Sequence, residues 1–328
     1  TIAIDVTSSY LSGSLPFYWK LLIGTAFVVV IVALPQGVLP EITKTWRKLV
    51  TRSKHEKPTL ILQQAVAPEI TDIKKTPLVV DNVYRHFGSQ QVLQGINFKV
   101  DSHELLSLVG PNGAGKTTLI RCLADGAERS SGAISIFGND LGNWSPDRCV
   151  ALGIGRKFQA ANIFETLTVG ECLRVSRYRS DSLPMWSASK VLVLPEAAMR
   201  IVSETGLVDN LNLEARHLSH GQKQALELAM VLTLEPRIVL LDEPTAGLTK
   251  VERQRIGSIL TSLVERDGLS VLLIEHDLDF VRQISSRVIV LHQGKIVLDG
   301  SVSEIVESEL VREIYAGTQH GNGEAVDD

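Results

Sequence analysis

The stretch Gly110-Pro111-Asn112-Gly113-Ala114-Gly115-Lys116-Thr117-Thr118 constrains this chain more than any other. An apolar run, Leu105 to Val109, leads into it, and Leu119, Ile120, Cys122 and Leu123 follow at helical spacing. The pattern predicts a strand, a glycine loop and a helix beginning near Lys116. Gly-x-x-x-x-Gly-Lys-Thr is the spacing of a phosphate-binding P-loop. Its glycines let successive backbone N–H groups converge in one concavity at the positive end of the helix. A polyphosphate suits that concavity, with Lys116 reaching the β- and γ-phosphates and the Thr117 hydroxyl holding Mg²⁺.

A loop of this kind needs a parallel sheet behind it, and the rest of the text supplies one. Short apolar runs at Ile238–Leu241, Val271–Ile274 and Val288–Leu291 alternate with helical patterns, which argues for α/β architecture with ligands at the strand ends. Residues 78–83, 92–93, 96–100 and 131–138 form a separate β-rich group. Residues 165–235 read as mostly helical, with Pro236 ending the helix that carries Leu226, Leu228, Ala229, Val231 and Leu232. The three cysteines, Cys122, Cys149 and Cys172, lack metal-ligand spacing and read as reduced structural thiols. A net charge of −4 over 328 residues gives no reason to expect a nucleic-acid partner.

The first 50 residues differ in kind. No charged residue occurs from Leu21 to Val38, Phe17-Tyr18-Trp19 precede that run, and Lys44, Arg47, Lys48, Arg52, Lys54 and Lys57 follow it. This predicts one transmembrane helix over about 21–40, with the basic side facing the cytoplasm. A secretory signal fits poorly because its basic end should come first. Residues 51–77 read as a linker, 78–317 as the domain that carries the glycine loop and 318–328 as a disordered tail.

Two further constellations carry chemistry. The strand Ile238–Leu241 ends in Asp242-Glu243, where the Asp would reach Mg²⁺ and the Glu an attacking water. In Leu218-Ser219-His220-Gly221-Gln222, Ser219 is a good N-cap, and the same geometry makes the helix N-terminus an anion site.

P-loop, Ser-x-Gly-Gln signature and Asp-Glu strand, in that order, resemble the ATPase domain of an ABC transporter. The resemblance implies a P-loop NTPase fold with a parallel core sheet, an antiparallel β subdomain and a helical subdomain. It also assigns roles. Gln159, in Gly155-Arg156-Lys157-Phe158-Gln159, matches the glutamine that senses Mg²⁺ and water, so the expected metal set is Thr117, Gln159 and Asp242. His276, in Ile274-Glu275-His276-Asp277, matches the switch histidine at the γ-phosphate, beside Glu243, Gln159 and Lys116 as catalytic residues. Phe87 sits where the family places an aromatic on adenine, with Tyr84 as the alternative. Ser219, Gly221 and Gln222 would contact ATP held by a second ATPase domain.

There are two departures: His220 replaces the commonest glycine, and Ala246-Gly247-Leu248-Thr249 lacks the usual aspartate. Both resemble an importer branch for branched-chain amino acids, urea and short amides, as does Arg312-Glu313-Ile314-Tyr315-Ala316-Gly317 near the end. The implied partners are membrane permease subunits, a second ATPase domain and, indirectly, a periplasmic binding protein, at the cytoplasmic face of the inner membrane. Residues 1–50 resemble the end of such a permease. The rival expectation is a soluble ABC ATPase acting on ribosomes or DNA.

Overall fold

The computed structural model describes residues 24–25, 28, 61–64, 75–125, 128–143, 145–157, 163–177 and 191–320. The chain divides into two units, Thr1–Thr59 and Leu60–Asp328. In the first, Gly24, Thr25 and Val28 are helical; the rest of the expected span over 21–40 lies outside the described residues. Among the described residues no helix is long and apolar enough to cross a membrane.

The second unit is built on a six-stranded sheet. Its strands are β4 (Leu105–Val109), β7 (Ile154–Lys157), β9 (Ile238–Asp242), β10 (Ser270–Ile274), β11 (Arg287–His292) and β12 (Lys295–Gly300), in the order β12-β11-β4-β10-β9-β7. All pairs are parallel except β11 with β12. Every residue of β4, β9 and β10 is buried, so these strands read as continuous apolar runs rather than alternations. Ser107 is the polar exception in β4, and its hydroxyl bonds that of Ser285 at 2.6 Å.

Successive side chains face opposite cores. Leu105, Val239, Leu241, Val271 and Leu273 join the helical side, whereas Leu106, Leu108, Leu240, Leu272 and Ile274 join the β side. The β side is closed by an antiparallel sheet ordered β3-β2-β5-β6, made of β2 (Leu78–Phe87), β3 (Gln90–Val100), β5 (Ser131–Ile136) and β6 (Asn139–Asp140). Cys122, Cys149 and Cys172 are buried thiols.

The helices are α1 (Lys116–Ala124), α2 (Pro146–Ala151), α3 (Val169–Arg177), α4 (Glu196–Glu204), α5 (His220–Leu232), α6 (Lys250–Glu265), α7 (Leu278–Ile284), α8 (Val302–Glu307) and α9 (Glu309–His320). Two features depart from the sequence expectation. The stretch 51–77, read as linker, contains strand β1 (Ile61–Gln64), and the region read as helical contains β8 (Val191–Leu194). They pair in parallel, Ile61 opposite Val191 through Gln64 opposite Leu194. Each apolar run is too short to form a helix of its own, and pairing satisfies its backbone.

The signature helix α5 is fastened to the core sheet by a buried ion pair. Lys157, the last residue of β7, lies 3.2 Å from Glu227 of α5, with side chains only 1% and 6% exposed. Removing one partner strands the other charge in an apolar interior, whereas removing both does not. We expect K157M to lose about 3–5 kcal/mol of stability and K157M/E227M to recover most of it, as read by urea unfolding.

Candidate nucleotide site

The P-loop follows β4 as the spacing predicts, and neighbouring backbone dictates its glycines. An added Cβ at Gly110 would collide with the Leu291 carbonyl of β11. At Gly115, φ is +106°, and a Cβ would lie 3.0 Å from Leu93 Cδ2 and 3.1 Å from the Val92 carbonyl. Gly115 is also the N-cap of α1, where no side chain caps the helix. Such an uncapped N-terminus, fed by a glycine loop, is a natural anion site. Lys116 folds back over the loop, its Nζ donating to the Gly110 carbonyl at 2.7 Å and the Pro111 carbonyl at 3.0 Å. Burial lowers the pKa of its ammonium, while Glu243 and then Asp242 oppose the shift.

Parallel registration brings three loops to one edge of the sheet. Ile274 of β10 lies opposite both Asp242 of β9 and Leu108 of β4. The P-loop, Asp242-Glu243 and Glu275-His276 therefore leave the sheet side by side. On the other flank of β9, Lys157 is opposite Leu241. Gln159, two residues beyond Lys157, lies outside the described residues.

Asp242 is only 2% exposed, and burial raises its pKa; a hydrogen bond from the Thr117 side chain works against that. Its Oδ1 has no hydrogen-bond partner among the described residues. A buried, unsatisfied carboxylate oxygen beside a hydroxyl is the hard-oxygen donor set that suits Mg²⁺, which takes few protein ligands and completes its shell with phosphate and water. Thr117 and Asp242 thus fit the ion. Arg156 of β7 is coupled to Asp242 electrostatically, and burial lowers its pKa. Sequence reasoning passed over Arg156, although it lies in the segment quoted for Gln159.

Glu243 is half-buried with φ +47°, a left-handed conformation that is strained for a residue with a Cβ, and its N–H donates to the Ile274 carbonyl at 3.0 Å. His276 is open to solvent, its side chain 59% exposed. Phe87 ends β2 and is 52% exposed, with the Arg85 guanidinium 4.3 Å from its ring centroid. The Tyr84 hydroxyl instead packs over Gly95.

The signature residues serve their own helix. Ser219 caps α5, its hydroxyl accepting from the Gln222 N–H while the Gln222 side chain accepts from the Ser219 N–H, both at 3.2 Å. Gly221 lies so close to the Glu252 carboxylate that a Cβ would clash. The two departures from the family pattern meet in space: His220 Nε2 is 3.1 Å from the Ala246 carbonyl. Thr249 ends that loop as the N-cap of α6, in a capping box with Glu252. Behind the P-loop, Tyr315 of α9 is half-buried and packs against the cluster that contains Val109. Burial raises the pKa of its phenol, and the nearby Gly110 backbone opposes the rise.

The fold and this edge of the sheet define a P-loop NTPase with an ABC-type signature helix. A family model described as ABC transporter matches residues 93–246. The high-affinity branched-chain amino acid transport ATP-binding protein BraF of Pseudomonas aeruginosa is 31% identical over 249 residues, covering 73% of this chain and 97% of BraF. LivG of Escherichia coli K12, described likewise, is 30% identical with the same coverage. The lipopolysaccharide export system ATP-binding protein LptB of Haemophilus influenzae is 32% identical over 243 residues, 74% of this chain and 98% of LptB. The crystal structure of the ADP conformation of MJ1267, an ATP-binding cassette of an ABC transporter, superposes with a TM-score of 0.65 at 26% identity, covering 74% of this chain and 99% of MJ1267. The chain belongs to the ABC transporter ATP-binding proteins, and it is an ATP-hydrolysing enzyme.

Proposed function

We propose that this chain is the ATPase subunit of an importer for branched-chain or other hydrophobic amino acids, or for urea and short amides. The observation that carries the reading is its similarity to BraF and LivG over 97% of their lengths. The His220 and Ala246–Thr249 variants and the Arg312–Gly317 motif support it. Two ATPase domains would face each other head to tail on the cytoplasmic side of the inner membrane. Each ATP would lie between the Gly110–Thr118 loop of one and Ser219, Gly221 and Gln222 of the other. Residues 1–50 would be a permease-derived segment crossing the membrane over 21–40.

In this arrangement the loop amides and Lys116 bind the β- and γ-phosphates, and Thr117, Asp242 and Gln159 would hold Mg²⁺. That ion supplies charge neutralisation on the phosphate oxygens. Glu243 orients or deprotonates the attacking water, and His276 steadies the γ-phosphate as charge develops on it. The free face of Phe87, opposite Arg85, stacks on adenine. F87A is expected to weaken ATP binding about tenfold with little change in kcat, as read by nucleotide titration.

Proteoliposomes holding the chain with a permease and binding protein of the branched-chain amino acid or urea importer class test the assignment. ATP-driven uptake of leucine or of urea is expected. No uptake of either, together with ATPase stimulation by ribosomes or DNA, would overturn the importer reading in favour of the soluble one.

A further inference from the structure

Glu275 is a further acidic residue at the nucleotide edge, beyond Asp242 and Glu243, and neither the P-loop nor the Asp-Glu strand accounts for it. It is fully buried. Its Oε1 accepts two hydrogen bonds from one residue, the Thr245 hydroxyl at 2.7 Å and the Thr245 N–H at 3.2 Å. Its Oε2 has no hydrogen-bond partner among the described residues and lies 3.9 Å from Nδ1 of His276. A buried carboxylate spends both oxygens in this way only at considerable desolvation cost.

The two residues it faces belong to different loops. Thr245 is two residues beyond Glu243 and is joined to it through Pro244, whose ring fixes the intervening backbone. Glu243 itself is strained at φ +47°, and a side-chain-bearing residue stays in that region only when its surroundings over-determine it. One restraint is the Glu243 N–H on the Ile274 carbonyl. Another is the pair of hydrogen bonds that Thr245 donates to Glu275. The same carboxylate, through its other oxygen, faces the ring of His276.

We propose that Glu275 is a positioning residue that holds Glu243 and His276 in register with each other, by clamping Thr245 on one oxygen and facing the imidazole with the other. This rests on the roles proposed above for Glu243 and His276. The clamp acts on the geometry of hydrolysis rather than on nucleotide affinity, because Glu275 reaches neither the P-loop amides nor Lys116.

Steady-state ATPase of the full chain, expressed per bound nucleotide so that unfolded protein does not count, tests this with E275Q, T245V, T245S and T245V/E275Q. E275Q and T245V should each lower kcat about tenfold, the scale of one charge-assisted hydrogen bond, with KM for ATP within about twofold. T245S, which keeps the hydroxyl, should restore the rate. The double variant should be no slower than either single one, because the pair acts as a unit. Wild-type kcat in E275Q and T245V, additive losses in the double variant, or a loss confined to KM would overturn the inference. E243Q and H276A measured alongside separate the two levels: if they stop turnover while E275Q and T245V do not, only the Glu275 inference fails. If E243Q turns over normally, the underlying reading fails.

Discussion

Glu243→Gln is expected to bind ATP as tightly as the native chain while losing about 10²–10⁴-fold in turnover, the range for removing a general base. The substitution is nearly isosteric, so the left-handed backbone at Glu243 and the contact of its N–H with the Ile274 carbonyl at 3.0 Å are retained. What goes is the negative charge that would orient and accept a proton from water. With hydrolysis stopped and binding intact, the ATP-bound dimer should accumulate, visible as an ATP-dependent shift in size-exclusion chromatography. Native turnover in E243Q would remove Glu243 from the chemistry.

Lys116→Ala should act earlier, at binding. The ammonium lies within a loop whose carbonyls it already contacts at 2.7 and 3.0 Å, so its position is set before ligand arrives. Its loss removes charge-assisted bonds to phosphate, each worth about 1.5–3 kcal/mol, and affinity should fall at least tenfold to a hundredfold. A second effect has the same sign. Lys116 is a counter-charge to Asp242, so in its absence that carboxylate ionises less readily and becomes a poorer ligand for Mg²⁺. Titration with a fluorescent ATP analogue, with and without Mg²⁺, measures both. Unchanged affinity would refute the P-loop assignment.

The placement of these two residues was legible in the sequence because it depends on spacing within one strand-loop-helix unit. The same holds for Thr117, Asp242 and the Ser219 cap, whose Ser-x-x-Gln pattern is a capping box in plain text. Thr249-x-x-Glu252 carries the same signal for α6. Other features depend on pairings between distant segments. Glu275 meets Thr245 thirty positions away, and His220 meets Ala246 across twenty-six. Nothing local in either stretch specifies its partner. The β1–β8 pairing lies between. Val191-Leu192-Val193-Leu194 before Pro195 has the composition of a strand, yet a four-residue run inside a helical region names no neighbour.

The placement of α9 has a practical bearing. Val311 is buried in the cluster that contains Val109, the residue just before the P-loop, and Tyr315 packs against that cluster. A segment more than 190 positions downstream thus forms the rear wall of the phosphate loop. Trimming by a protease, or an affinity tag that unravels this helix, would be felt as altered grip on nucleotide even though the loop's own sequence is untouched. Preparations that differ only at their C-terminal ends should therefore be compared by nucleotide titration before their turnover rates are.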